Sequence, residues 1–324
     1  MRKYINGHNV PLSMAVFLAH DDYDYEENTI SATKLIKPLR QIILADRVPA
    51  NDALVDISGL VKSRMGQAIH DAIERVWLNH KDTALAALGY PARVIEKVRV
   101  NPDFDTLEED YIPVYVEIRS YKEVRGYQLS GKFDIVADGR VEDFKSTSTF
   151  AWNSDSKTLD YKLQGSIYRW LNPKIITQDQ MAINFLFTDW QQARAANDPT
   201  YPQTAAPQKL IPLLSLEETD NYINGKLSQY ERLKDAPQEE LPLCTDDELW
   251  RKPPQWKYYK NPEKTARATK NFDNKQDAYL RLAKDGGKGL VIEKGGEVMA
   301  CKYCPAFPIC TQKDDLIAEG SLKL

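Results

Sequence analysis

Asp143 and Lys145 are separated by one residue in Val141-Glu-Asp-Phe-Lys145, and Asp134 precedes them across an Asp138-Gly139 pair. On an extended strand alternate side chains share a face, so Asp143 and Lys145 project together while Glu142 and Phe144 project the other way. Asp134, on the facing strand, reaches the same patch. Two carboxylates beside one ammonium can hold a hard divalent cation and orient a water next to it. Taken alone, the triplet equally fits a surface hairpin carrying an Asp–Lys pair.

Three other groups have spacings that bear on chemistry. His70 and Glu74, in Gly66-Gln-Ala-Ile-His-Asp-Ala-Ile-Glu74, are four apart and share one face of a helix, as do Gln164 and Tyr168 further on. A satisfied core histidine and a surface Gln–Tyr pair are the competing readings. Cys301, Cys304 and Cys310 form a C-x2-C-x5-C cluster, with Cys244 more distant. Four such thiolates make a workable set for a metal or an iron–sulfur cluster, and isolated buried thiols would not be expected to cluster.

The elements that must position these residues follow from periodicity. Asp-Gly between apolar runs is a tight-turn signal, which predicts a hairpin of strands 132–137 and 140–146. Val114, Val116 and Ile118 alternate with Tyr115, Glu117 and Arg119, predicting a half-buried strand before it and an αβββ order. Helices are expected from Ser31 or Thr33 through Leu44, over 58–79 with Ile69, Ala72, Ile73, Val76 and Trp77 inward, and over 216–233. Another is expected over 156–171, with Leu159, Leu163, Ile167, Trp170 and Leu171 as its apolar face. Residues 183–188 read as a buried strand, 80–110 as helical and then irregular, and 191–209 as a loop.

A composition of 42% hydrophobic and 28% charged residues, with net charge −4, describes an ordinary globular chain that is not basic all over. Any nucleic-acid contact must therefore be local. Residues 251–270 carry seven Lys or Arg against one Glu, interleaved with Trp256, Tyr258 and Tyr259 and preceded by Trp250. Cations with stacking rings suit a nucleic-acid strand, and a solvated basic loop is the equal alternative. No apolar run of about 18 residues is present, so no membrane helix is expected. The short apolar run 10–18 is read as part of the fold, the acidic stretch 21–27 as a solvated loop, and the location as cytoplasmic. In that compartment the four cysteines suggest metal binding more than disulfides.

In order, Gly66-x-x-x-His70-x-x-x-Glu74, Gly131-x-x-Asp134, Asp143-x-Lys145 and Gln164-x-x-x-Tyr168 resemble the PD-(D/E)XK nuclease superfamily, in particular its RecB-like exonucleases and their phage relatives. The resemblance spans roughly residues 31–190. It implies an α/β fold with a restriction-endonuclease-like core, a mixed sheet of about four strands between helices, and a cysteine-stapled C-terminal region. The implied domains are a nuclease core over 1–210 and a helical, basic region over 211–324 packed on it.

The implied activity is metal-dependent DNA exonuclease in replication, recombination or repair. A non-catalytic DNA-binding subunit and a structure-specific endonuclease are the alternatives. Asp134 and Asp143 would hold Mg2+ or Mn2+, with His70 and the carbonyl of Phe144 as further ligands. Lys145, with a depressed pKa, would act on the water, and Gln164 and Tyr168 would position the DNA or Lys145. Glu74 and Glu117 would have supporting roles. The cysteine triplet is similar to the iron–sulfur staple of several members, but Cys244 follows the nuclease motifs where many members have a cysteine before them. A 4Fe-4S cluster and Zn2+ both stay open for Cys244, Cys301, Cys304 and Cys310. DNA is the implied partner, with a recombination or replication protein beside it, in the host cytoplasm if the chain is phage-encoded.

Overall fold

Pro11, Pro38 and Pro91 each stand immediately before a helix, where the missing N–H leaves no intrahelical bond unmade. A computed structural model of the chain describes residues 3–20, 26, 29–49 and 54–323. All of the expected acidic loop 21–27 except Glu26 lies outside them.

The elements run β1 (Lys3–Ile5), α1 (Leu12–Ala19), β2 (Thr29–Ser31), α2 (Ala32–Leu35), α3 (Leu39–Arg47), β3 (Leu54–Asp56), α4 (Val61–Asn79), α5 (Lys81–Ala87) and α6 (Ala92–Ile95). Next come β4 (Val98–Val100), β5 (Ile112–Val116), β6 (Arg119–Val124), β7 (Tyr127–Lys132), β8 (Ile135–Ala137), β9 (Arg140–Thr147) and α7 (Thr158–Leu171). The remainder are β10 (Gln180–Phe187), α8 (Gln192–Asn197), β11 (Gln208–Pro212), α9 (Leu216–Leu233), β12 (Gln255–Tyr259), β13 (Lys270–Phe272), α10 (Lys275–Lys284), β14 (Leu290–Lys294) and α11 (Thr311–Ala318). The protein is thus mixed α/β. No helix among the described residues is long and apolar enough to cross a membrane.

Two compact units emerge, residues 1–37 with 53–231 and residues 38–52 with 232–324. The division falls after 231, not at the expected 210, because α9 sends Ile223 and Leu227 into the core of the first unit. Residues 38–52 join the second unit through Arg40, which is 2% exposed and donates to the carbonyls of Gln238 and Leu241 and to Thr311 Oγ1.

The first unit is built on a six-stranded sheet in the order β11-β10-β9-β8-β5-β4. β9 and β10 are parallel, and β8 pairs antiparallel with both β5 and β9. Asp138 and Gly139 take positive φ of 51° and 70°, as the tight turn between β8 and β9 requires. A three-stranded sheet, β2-β7-β6, lies in the same unit. One core cluster gathers Val141, Met181 and Ile183 of the large sheet with Ile167 and Trp170 of α7. Another gathers Val98, Val114, Val116, Ile135 and Phe144 with Trp77 of α4 and Leu85 of α5. Each fully buried aliphatic side chain of this kind contributes about 1.5–3 kcal/mol of transfer free energy.

Several expectations need correction. The helix foreseen from Ser31 to Leu44 is two helices, because Pro38 cannot continue the first; Ser31 does cap α2, accepting from the Lys34 N–H at 3.1 Å. The strand foreseen over 132–137 is broken at Phe133-Asp134, and a hairpin of β6 and β7 with an Arg125-Gly126 turn was not foreseen. Residues 191–209 contain α8 and the start of β11, and 98–100 form β4. Val76 and Leu159, expected inward, are exposed.

The second unit holds the three-stranded sheet β13-β12-β14. Leu249, Val298, Leu316 and Leu322 cluster there, with Cys244, Cys301 and Phe307 packed against them. Tyr258 and Tyr259 are 0% and 5% exposed, so they are sheet core, not the stacking platforms expected of them.

Candidate metal centre and active site

Two strand crossings build the site. β5 pairs with β8 in the six-stranded sheet, but β6 pairs with β7 in the three-stranded one. Glu117 sits where the chain leaves β5 for β6, and Asp134 where it leaves β7 for β8. Glu117 has φ of 53°, unusual for a non-glycine residue and associated with local strain of about 1–3 kcal/mol. Gly131, just before the second crossing, permits close approach of α7. A Cβ there would stand 2.6 Å from Leu171 Cδ1 and 3.0 Å from Tyr168 Cδ1.

From α4, His70 brings Nδ1 to 3.4 Å from Asp134 Oδ1 and donates from Nε2 to the Phe144 carbonyl at 3.0 Å. Asp134 Oδ2 accepts the Phe144 N–H at 2.7 Å. Ligand atoms of His70, Glu117 and Asp134 all lie within 4.8 Å of one another. That set fits one hard cation with oxygen and imidazole donors. Glu117, expected only in support, thus stands with the first ligands, while Asp143 lies outside the set. The sequence signal for Glu117 was a carboxylate continuing the alternation Val114-x-Val116, where the strand would otherwise go on.

Asp143 is 2% exposed. Its Oδ1 accepts from Gln164 Nε2 at 3.2 Å, and its Oδ2 lies 2.5 Å from Lys145 Nζ, a close ion pair without hydrogen-bond alignment. Gln164 Nε2 also donates to the Tyr168 hydroxyl at 2.9 Å. Gln164 and Tyr168 are therefore buried side chains that hold Asp143. The expected alternation holds: Asp143 meets α7 and Phe144 meets the α4 face.

Glu74 is half-buried, and its charge acts on both Glu117 and Lys132. Lys132 Nζ pairs with Glu117 at 2.6 Å. A cleft of about 520 Å³ is lined by the His70, Glu117, Asp134, Lys145 and Tyr168 group, with Lys62, Arg64 and Arg119 also on its walls.

The electrostatics share one direction. Burial disfavours the His70 imidazolium, but the adjoining Asp134 outweighs it and holds the ring above its ordinary value. Burial, then the Asp134 and Glu74 charges, push Glu117 up against the pull of Lys132. Asp143 is raised by burial and by Asp134, against the pull of Lys145. Burial would lower Lys145, yet Asp143 and Asp134 leave it raised. The depressed Lys145 expected from sequence is therefore reversed when only the chain's own charges act, because two carboxylates face one ammonium. Each of these groups favours keeping a proton, as a site with surplus negative charge should.

In the second unit Cys244, Cys301, Cys304 and Cys310, all free thiols, line one cavity of about 40 Å³. The side-chain amide of Gln312 pairs with the Cys244 backbone in both directions, at 2.9 and 3.0 Å. Burial, followed by the Glu248 charge, pushes the Cys244 thiol up to about 12. A single zinc with Zn–S bonds of about 2.3 Å would hold its sulfurs about 3.8 Å apart. Among the described residues no three of the cysteine sulfurs lie within 4.8 Å of one another, so the cage is wider than one zinc ion asks for.

No family model matches the chain, and no curated protein matches it. Among solved structures it is similar to one titled "Crystal structure of SSO0001", at 16% identity, covering 71% of this chain and 92% of that one, with a TM-score of 0.38. That likeness is too distant to assign a fold family or a function.

Proposed function

We propose that the chain is a metal-dependent DNA exonuclease with a PD-(D/E)XK-type core, as the order of its motifs implies. The observation that carries the reading is the convergence of His70, Glu117 and Asp134 donor atoms in one open cleft, beside Lys145. Mg2+ or Mn2+ would be held by those three side chains, with the Phe144 carbonyl and Asp143 close by. Such a cation compensates charge on a phosphodiester and makes water a usable nucleophile at neutral pH.

The chain's own residues supply the rest. Lys145, fixed by Asp143, offers its ammonium to the developing charge on the phosphate. Gln164, braced by Tyr168, keeps the Asp143 carboxylate turned toward Lys145. Lys62 and Arg64, on the cleft wall, present positive charge to the phosphates of the strand. The surplus of negative charge at the centre favours a divalent cation over an empty binding surface, which distinguishes this reading from a non-catalytic DNA-binding subunit. For the second unit, the width of the cysteine cage favours a 4Fe-4S cluster over zinc.

The test is degradation of end-labelled linear DNA against closed circular DNA, with Mg2+ or Mn2+ and with EDTA. Metal-dependent loss of the linear substrate alone supports an exonuclease, and cutting of the circle supports an endonuclease. Binding without cleavage under every condition would leave the DNA-binding subunit as the reading.

A further inference from the structure

The segment 257–270, comprising the end of β12, its connection and the start of β13, carries Lys257, Lys260, Lys264, Arg267 and Lys270 against Glu263 alone. Elsewhere in the second unit exposed cations are neutralised: Arg251 by Asp246, Lys252 and Lys302 by Glu297, and Arg281 by Asp285. Among the described residues, none of the five cations in the segment has such a partner. The connection is nonetheless pinned, by the Thr269 N–H to the Tyr258 carbonyl at 2.8 Å and the Lys260 N–H to Thr269 Oγ1 at 3.0 Å. A cleft of about 430 Å³ opens on this segment, lined by Lys257, Arg267, Thr269, Lys270 and Asn271 and by no carboxylate.

From this we infer that the β12–β13 hairpin is a nucleic-acid docking surface that grips the phosphate backbone and does not read bases. Unneutralised cations held in place by a closed loop bind a polyanion with little ordering cost. The apolar part of the lining is alanine only, which gives a protein partner no anchor of the size that interfaces use. Repeated phosphates need none. Burial of Tyr258 and Tyr259 removes base stacking from the available chemistry, so the contact is electrostatic and indifferent to sequence. The inference does not depend on the catalytic reading of the first unit.

The test uses the full chain in EDTA and follows fluorescence anisotropy of labelled oligo-dT and of a mixed-sequence strand across a salt series. Lys257→Ala/Arg267→Ala/Lys270→Ala should weaken both strands alike, by at least about tenfold at low salt. It should also flatten the log–log salt slope by about 2, at about 0.7 per phosphate released. Arg267→Ala alone, an exposed change, should flatten it by about 0.7 and serves if the triple variant misfolds. Unchanged affinity and slope would overturn the inference, as would polyglutamate competing as well as DNA. Hydrolysis of bis(p-nitrophenyl) phosphate with Mn2+ separates the two readings. It should be equal in the wild type and the triple variant, and its absence in both would sink the nuclease reading while the binding result stood.

Discussion

The backbone N–H of Glu117 donates to the carbonyl of Asp134 at 2.9 Å, fastening together the two places where neighbouring strands pass from one sheet into the other. Their carboxylates are therefore spaced by backbone bonding, not by rotamer choice. Such a spacing is available before any ion arrives, which is what pre-organisation of a metal site requires.

Glu117→Gln should lower Mn2+ affinity by at least about tenfold, the scale seen when a metal site loses a supporting group. Glu74→Gln, outside the convergent set, should change it less. Calorimetric titration of Mn2+ into the two variants checks the ranking, and equal affinities would remove Glu117 from the centre.

Gln164→Leu takes from a buried carboxylate its amide donor, at a cost of about 1–3 kcal/mol in urea unfolding. Tyr168→Phe removes only an acceptor from Gln164 and should cost less, about 0.5–1.5 kcal/mol. Both should depress cleavage, because Asp143 loses its setting beside Lys145. If Tyr168→Phe proved the more destabilising, the direction of support from Tyr168 through Gln164 to Asp143 would be wrong.

Asp56 gives a pH prediction. Its carboxylate accepts from the hydroxyl and the N–H of Ser58 and from the Gly7 N–H, and these bonds, the Ser58 hydroxyl first, pull it down to about 2. A depressed acid stabilises the fold above its unfolded pKa of about 3.9, and the contribution is lost as pH falls towards the folded value. The melting-temperature gap between wild type and Asp56→Ala should accordingly be constant above about pH 5 and narrow below it. A gap that widens on acidification would contradict the assignment.

The cysteine cage makes a prediction about loading. With Cys244 held near 12, its thiol is protonated at neutral pH, so metal binding must release protons and metal-free protein should react slowly with thiol reagents. Anaerobic reconstitution with iron and sulfide should raise the melting temperature and produce visible absorption. Zinc alone should stabilise less, and a larger shift with zinc would mean that the cage closes around one ion.

What could be read in the sequence, and what could not, divides along physical lines. The Asp138-Gly139 turn and the alternation Val141, Asp143, Lys145 were legible because turn chemistry and a period of two are local signals. The crossings at Glu117 and Asp134 were not. A strand that changes sheets keeps its alternation, and only the partner strands reveal the switch. Gln164 and Tyr168 look like surface residues on a helix and become buried because Gly131 lets α7 approach. The break at Pro38 was readable, since proline cannot continue α2, but the apolar run on both sides of it suggested one helix.

Arg40 meets the carbonyl of Gln238 across 198 residues of chain. During synthesis α3 leaves the ribosome long before the segment that will shelter Arg40, Ile42, Ile43 and Leu44 exists. Neither compact unit is an uninterrupted stretch of polypeptide. A fragment ending at 231 would therefore carry an orphaned sticky helix, and attempts to express the first unit alone should excise 38–52 or expect aggregation.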